Sequence, residues 1–257
     1  MAAAIAADWR DAAVYQWLTR ADRSCFAWEW LRRTGAYRDA CASPRIAPAQ
    51  FGLLRFEDPA CDALVARPIW LSAVDRAVLR GVAHAADGPG CFDLALFERL
   101  ATVGVGEPGS GVAEYVLLSD GLRSIRFDLM SGTLLSGPVF LRWRIDGLAD
   151  VAPQLLALRR LIAFARLGGF AASLHGSERR ARRWIQMLRV HDARCAGASY
   201  RDIVPVLFAV DVSGSRWRST APTYRLRVQR LVAGARTMAS GRWRIFLDPA
   251  AKSPRTM

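Results

Sequence analysis

The chain has 257 residues, 52% of them hydrophobic and 23% charged, a balance typical of a globular protein and not of a disordered one. No segment reaches the ~18 consecutive apolar residues of a membrane-spanning helix, because arginines interrupt the longest candidate, residues 155–170. The N-terminus lacks the basic start and apolar core of a secretory signal, so we expect a cytoplasmic protein.

Almost all of the net charge of +13 lies in the last third of the chain. Residues 1–175 contain 19 arginines and 18 acidic residues, whereas residues 176–257 contain 17 basic residues and five acidic ones. Neutralising phosphates releases condensed counterions, so a polyanion such as double-stranded DNA is the expected partner. The alternatives are a basic solubilising face and a docking surface for an acidic protein.

The N-terminal segment is predicted to be helical. Apolar residues recur at spacings of three and four in residues 14–18 and in residues 26–31, with a polar turn at residues 20–24 between them. Large aromatic side chains at helical spacing are typical of a core, which we expect for Trp17, Phe26 and Trp30.

The next segment is predicted to be a connector, followed by short elements. Four prolines in residues 42–68 exclude a continuous helix, so we expect a domain boundary and one short strand at residues 51–56. Residues 72–85 are predicted to form a short helix. A G-x-G-x-x-G at residues 104–109 contains Pro108 and precedes a strand-like pattern, so it does not indicate a nucleotide site.

The strongest β signals come next. Residues 115–119 and 122–129 flank an Asp-Gly turn, and residues 139–145 alternate apolar with polar side chains. These segments predict a small antiparallel sheet with one apolar face. The following helix has one apolar face, which Leu156 and Leu161 widen, so we expect it to be packed on two sides. The residues of that face are Val151, Leu155, Leu158, Ile162 and Ala165.

Three helices are predicted in the basic third. The first covers residues 178–193, and the second opens at a capping box formed by Ser199 and Asp202. The third runs from about Thr220 to Ala239, with a buried stripe opposite a face of long hydrogen-bond donors. We expect the buried stripe to consist of Tyr224, Val228, Leu231, Ala235 and Met238.

A short helix, a turn and a longer basic helix are the pattern of a helix-turn-helix, whose second helix enters the major groove. Arginine can bind guanine and glutamine can bind adenine, so we predict base contacts by Arg225, Gln229 and Arg230. Phosphate contacts are expected from Arg182, Arg183, Arg216 and Arg218. The candidate DNA-binding residues are completed by Ser199, Tyr200, Arg201 and Thr223.

Two stretches resemble known families. The run D-A-R-C-A-G-A-S-Y-R at residues 192–201, with Y-R-L-R-V-Q-R-L at residues 224–231, resembles the bacterial family catalogued as domain of unknown function 2285, over residues 115–247. The segment A-W-E-W-L-R-R at residues 27–33 resembles a transcriptional-regulator-like domain that often precedes that family.

These resemblances imply a DNA-binding regulator with a helix-turn-helix, of the kind carried on integrative and conjugative elements and plasmids. Some relatives activate genes, and others are antiactivators that bind a regulator protein. The chain departs from the family pattern at Pro205, expected to kink the second helix or delay its start, and at Pro222, expected in the first turn of the third.

No enzyme motif is present. The three histidines have no nucleophile or carboxylate at motif spacing, and the sequence contains no G-x-S-x-G, no H-E-x-x-H and no phosphate loop. Five scattered cysteines without a C-x-x-C pair predict reduced thiols and no metal site. We therefore expect a non-enzyme that needs no cofactor.

The sequence thus predicts an α+β protein with three domains: a regulator-like helical domain with a linker (1–60), a small antiparallel sheet with a packing helix (61–175) and a basic helix-turn-helix domain (176–257). The favoured function is sequence-specific transcriptional regulation. The alternative is an antiactivator or adaptor that binds another regulator or RNA polymerase. Helix-turn-helix proteins commonly dimerise, so a homodimer is a further expectation.

Overall fold

The computed structural model describes residues 8–43, 45–86, 88–145, 147, 151–210 and 216–248, without the side chains of residues 216–221. Within these ranges the fold is α+β, as predicted, and no helix there combines the length and apolarity needed to cross a bilayer. The α-helices are α1 (Arg23–Leu31), α2 (Gly35–Cys41), α3 (Ala63–Ala66), α4 (Val151–Leu167), α5 (Ala181–Cys195), α6 (Tyr200–Phe208) and α7 (Arg216–Ala239). Short 3₁₀-helices span Ala13–Arg20, Pro48–Phe51, Leu94–Phe97, Ala172–Leu174 and Arg242–Phe246.

The sheet is mixed, which corrects the prediction of an antiparallel one. Its strand order is β2-β3-β4-β1-β5, and β1 runs parallel to β4 while the other neighbours are antiparallel. The strands are β1 (Leu79–Ala85), β2 (Ala101–Val105), β3 (Glu114–Ser119), β4 (Ser124–Ser131) and β5 (Val139–Arg144).

Strand β1 replaces the helix predicted at residues 72–85. It lies between β4 and β5, so its structure is set by partners that come 40 or more residues later in the chain. Gly81 allows this close pairing, because a Cβ there would lie 2.6 Å from the carbonyl oxygen of Arg142 and 2.9 Å from the ring of Trp143. A glycine in a strand interior often marks such an approach of another backbone.

Two smaller predictions also change. The strand expected at residues 51–56 is replaced by the end of a 3₁₀-helix and a single bridge between Leu53 and Trp70. Gly104 of the glycine motif lies within β2, where it pairs with Tyr115 of β3. No helix begins in this motif, so it lacks the helix N-terminus that a dinucleotide site requires.

Helix α4 packs against the sheet through a face whose fully buried residues overlap the predicted ones only at Leu161. Ala157, Leu161 and Phe164 are buried in the sheet core, whereas Leu155 and Ile162 are 45% and 44% exposed. The helix carries two apolar stripes, and periodicity alone does not decide which one meets the sheet. In the structure the stripe that contains Phe164 faces the sheet, and the ring centroid of Phe164 lies 4.7 Å from that of Phe97 in the same core.

A second core joins the two ends of the chain. Phe26 of α1, fully buried as predicted along with Trp30, lies with its ring centroid 5.0 Å from Trp184 of α5 and 5.7 Å from Phe246 near the C-terminal end. The N-terminal helices and α5–α7 therefore share one hydrophobic core. The domain division at residues 60 and 175 stays a prediction, and its first and third parts are packed together.

Charged side chains are buried inside this second core. Arg33 donates from Nε to Oδ1 of Asp192 at 2.8 Å and from Nη2 to Oδ2 at 2.9 Å, and Tyr15 donates its hydroxyl to the same Oδ2 at 2.7 Å. Arg33 and Arg32 also donate to Oε2 of Glu29. Burial alone would lower the pKa of Arg33, but the carboxylates of Glu29 and Asp192 raise it.

We expect Arg33→Met to lower the free energy of unfolding by about 3–5 kcal/mol, because Asp192 and Glu29 would be left buried without their shared cation. Urea denaturation of the full chain measures this loss. Arg45→Met, at an exposed position, should change stability by less than about 0.5 kcal/mol. Equal effects of the two substitutions would contradict a stabilising role for the network.

Asp75 is the second buried charge of interest, 9% exposed between the sheet and the helical core. The pKa of its carboxyl is raised to about 6, mainly by burial and in smaller part by Asp128, while the amide of Ala77 and the guanidinium groups of Arg126 and Arg160 act in the opposite direction. In an unfolded chain the pKa is about 3.9. The native state therefore holds a proton between these values that the unfolded state has lost.

This difference makes stability depend on pH. The contribution of Asp75 to the free energy of unfolding is present below about pH 4 and is lost as the pH rises through about 6. Asp75→Asn should therefore exceed the native chain in stability at pH 7.5, by up to about 3 kcal/mol, and this advantage should shrink towards pH 4.5. Urea titrations at both pH values test this, with the exposed Asp39→Asn as control. An advantage that does not vary with pH would contradict it.

Candidate nucleic-acid interface

The helices of the basic third are joined by a tight turn between α5 and α6. Gly197 adopts φ +80°, a left-handed conformation that glycine tolerates. The turn is closed by the amide of Ala198, which donates to the carbonyl of Ala193 at 2.9 Å, and by Nη1 of Arg194, which donates to the carbonyl of Ala198 at 2.6 Å. These bonds fix the direction in which α6 leaves the turn.

The predicted capping box begins α6. The amide and hydroxyl of Ser199 donate to Oδ2 of Asp202 at 2.8 and 2.7 Å, and Oγ of Ser199 accepts from the amide of Asp202 at 3.3 Å. These hydrogen bonds to Ser199 lower the pKa of Asp202. The Ser199 side chain therefore orders the helix start, and its contact with DNA stays a prediction.

The outcome differs between the two prolines. Helix α6 begins where predicted and continues through Pro205 to Phe208, so a late start is wrong, and a kink at Pro205 stays a prediction. The hydrogen bond lost at Pro205 would have reached the carbonyl of Arg201, whose residue is exposed to water. Helix α7 begins at Arg216, earlier than predicted, so Pro222 lies inside it and not in its first turn.

Helix α7 packs through its C-terminal half. Its buried residues are Val228, Leu231, Val232, Ala235 and Met238, which confirms most of the predicted stripe. Gly234 permits close contact with α5, since a Cβ there would lie 2.8 Å from Cε of Met187.

The preceding part of α7 is far more exposed. Among residues 222–227 only Tyr224 is partly buried, and its ring centroid lies 5.4 Å from that of Phe208 at the end of α6. Residues 222–227 of α7 therefore lie mostly outside the core.

The predicted base contacts lie on the solvent-exposed side of α7. Arg225 belongs to the exposed part of the helix, whereas Gln229 and Arg230 lie between the buried residues Val228 and Leu231, and all three side chains are exposed. Neither Arg225 nor Arg230 forms an ion pair with any residue that the structure describes. Thr223 is exposed on the same helix. The side chains of Arg216 and Arg218 lie outside the described residues.

The remaining candidates are on α5 and α6. Arg182 and Arg183 are exposed in the first turn of α5, and Arg201 is exposed in the first turn of α6. Tyr200 is half-buried, with the guanidinium carbon of Arg194 5.7 Å from the centroid of its ring. The joint action of these side chains and α7 on one DNA duplex stays a prediction.

Within the described ranges, the acidic residues of the basic third form no ion pair with its exposed arginines. Those within the described ranges are occupied elsewhere: Glu178 pairs with Arg23, Asp192 with Arg33, Asp202 with Ser199, and Asp248 with Arg76. Three of these four partners are arginines of the first 175 residues. Three of the acids thus link the last third of the chain to earlier segments, and the exposed arginines of the last third keep their positive charge on the surface.

Three residues of this surface are not among the predicted contacts. The guanidinium carbon of Arg227 lies 4.3 Å from the centroid of the Phe208 ring, which fastens α7 to α6, and Arg194 braces the turn. Leu226 is 46% exposed at the centre of the outward face, where an apolar side chain can contact a thymine methyl group. A wheel of α7 could have identified Leu226, but the two arginine contacts depend on tertiary structure.

Comparisons with known proteins agree with this picture. Residues 147–247 match the family model described as "T6SS, Transcription factor, DNA binding domain", and residues 8–52 match the one described as "Proteobacterial transcriptional regulator-like domain". The latter confirms the resemblance of the A-W-E-W-L-R-R segment, whereas neither model is named as domain of unknown function 2285. The searches of curated proteins and of solved structures returned no match. Both matched models describe regulators, and they indicate a DNA-binding transcriptional regulator.

We expect Ser199→Ala to lower the free energy of unfolding by about 1 kcal/mol, because the first turn of α6 loses its cap. Thr237→Ala is the matched control, since that hydroxyl donates to the carbonyl of Ala233 within its own helix and caps nothing. Thermal or urea unfolding compares the two. A cap that contributes to stability is excluded if both substitutions are neutral.

Proposed function

We propose that this protein regulates transcription by binding specific duplex DNA sequences, with α6 and α7 as a helix-turn-helix. The observation that carries the proposal is the solvent-exposed side of α7, where Arg225, Gln229 and Arg230 are exposed and the two arginines have no ionic partners among the described residues. A helix of this kind fits the major groove, where arginine and glutamine distinguish bases.

The other exposed arginines suit a backbone role. Arg182 and Arg183 lie at the start of α5 and Arg201 at the start of α6. Phosphate contacts fix the orientation of a protein on the duplex without selecting its sequence. In the proposal these arginines therefore supply affinity, and Arg225, Gln229 and Arg230 supply specificity.

The genetic setting is also part of the proposal. The resemblance found in the sequence implies a regulator carried on a bacterial mobile element, and the description of the model matched by residues 147–247 refers to T6SS. Promoters of conjugative transfer genes and of T6SS genes are thus the first natural targets to test. An inverted repeat in the selected site would support a homodimer.

The test is selection of bound sequences from random duplex DNA by the full chain, followed by salt titrations of the bound complex. Truncation after residue 176 is unsuitable, because α5–α7 supply part of the core that buries Phe26. Point substitutions on the surface avoid that difficulty.

We expect Arg230→Ala to cost about 1–3 kcal/mol on the selected site and to relax the preference at one base pair. Arg183→Ala should weaken all sequences alike and reduce the slope of log K against log[salt] by about 1. Arg159→Ala, which removes an exposed arginine from α4, controls for net charge. If Arg230→Ala behaves like Arg159→Ala, the role assigned to α7 is wrong.

The alternative, an antiactivator that binds a regulator protein, predicts a different result. Such a protein needs no duplex contact, so binding to DNA would be absent even at low salt, where phosphate attraction is strongest. That outcome would reject the proposal and direct the search to a protein partner.

A further inference from the structure

A cavity of about 460 Å³ lies where the sheet and the helical core meet. Its walls come from β4, from α4, from the start of α1 and from Phe246 and Leu247 near the C-terminal end. This volume falls within the ~300–1,000 Å³ of small-molecule sites. No cluster of residues that could hold a metal ion occurs in the part of the chain that the structure describes.

Most polar groups that line this cavity are already satisfied. Asp22 accepts from the amide of Ser124 and faces His175, Arg23 is paired with Glu178, and the hydroxyls of Ser24 and Ser124 are 3.1 Å apart. Arg126 donates to three backbone carbonyl oxygens and to Oδ1 of Asp128, so its guanidinium is committed to the protein.

Two lining groups keep open hydrogen-bonding positions. Oδ1 of Asp75 accepts from the amide of Ala77 at 2.9 Å, and Oδ2 has no hydrogen-bond partner among the described residues. Nε of Arg160 donates to the carbonyl of Leu174 at 3.0 Å, and the two terminal nitrogens of Arg160 have no hydrogen-bond partner among the described residues. Arg126 and Arg160 are near enough to lower the pKa of Asp75, but neither forms a hydrogen bond or an ion pair with it among the described residues. A carboxylate that is 9% exposed and has no direct cationic partner is costly to keep charged.

The remaining lining is apolar and includes Ile125, Pro153, Leu156 and Phe246. A ligand that satisfies the whole cavity therefore needs a cationic donor for Asp75, an anionic acceptor for Arg160 and an apolar body. Simple amines would leave Arg160 unsatisfied, and simple carboxylic acids would leave Asp75 unsatisfied.

From this complementarity we propose that the cavity binds a small zwitterion with an apolar side chain, an amino acid of the leucine, methionine or phenylalanine type. Its ammonium group contacts Asp75, its carboxylate contacts the terminal nitrogens of Arg160, and its side chain packs against Leu156 and Phe246. The inference concerns a ligand site and does not rest on the proposed DNA binding.

The test is isothermal titration calorimetry of the full chain with leucine, methionine and phenylalanine as probes. For the amino acid that binds best, the analogues that lack the carboxylate or the amine are titrated in parallel. For leucine these are isoamylamine and 4-methylpentanoate. We expect each analogue to bind at least tenfold more weakly than its parent amino acid, as do Asp75→Asn and Arg160→Gln with the amino acid itself.

Adjacent leucines provide a matched pair of variants that leaves the charged groups unchanged. Leu156 is 39% exposed and lines the cavity, whereas Leu155 is 45% exposed and is not among the lining residues. Leu156→Trp should fill the cavity and abolish binding, and Leu155→Trp should leave it unchanged. Circular dichroism confirms that both variants are folded.

Several outcomes would overturn the inference. One is no heat of binding for any of the three amino acids up to about 10 mM. Another is an analogue that binds as tightly as its parent amino acid, which would show that only one of the two charged groups matters. Equal effects of the two leucine substitutions would place the ligand elsewhere.

Discussion

The packing of helices α5–α7 against the N-terminal segment depends on one buried carboxylate, that of Asp192. It accepts hydrogen bonds from Tyr15 in the first 3₁₀-helix and from Arg33 in the turn after α1, and it lies on α5 just before the turn to α6. Charges buried in this way are stable only with all partners in place, because removal of one leaves the others desolvated and unpaired. The segments matched by the two regulator models are therefore one physical unit, and the N-terminal helices orient the helices that follow.

The distribution of acids decides what each arginine does. Several arginines of the first part of the chain are held by acids from the last part, as Arg23 is by Glu178, or by backbone carbonyls, as Arg126 is. Arg225 and Arg230 of α7 have no such partners among the described residues and are exposed. The same residue type thus stabilises the interior in one region and leaves positive charge on the surface in another. The cavity at Asp75 is a place where this pairing is incomplete.

The sequence predicted the elements whose signals are local. The capping box at Ser199, the Asp-Gly hairpin and the buried stripe of α7 each depend on residues within a few positions of one another. Strand β1 and the buried face of α4 could not be predicted, because later segments of the chain determine them. The burial of Glu29 and Arg33 could not be predicted either, because charged residues are mostly exposed. Asp192, which pairs with Arg33, is also far away in sequence.

The shared core of the two chain ends has a consequence for synthesis on the ribosome. Phe26 packs against Trp184 and Phe246, so the aromatic side chains of the first helices have no complete partner until almost the entire chain has been made. At about 5–20 residues per second, roughly 220 residues of elongation separate Phe26 from Phe246, a delay of about 10–40 s. During that interval the nascent chain lacks the two aromatic rings that cover Phe26 in the folded protein.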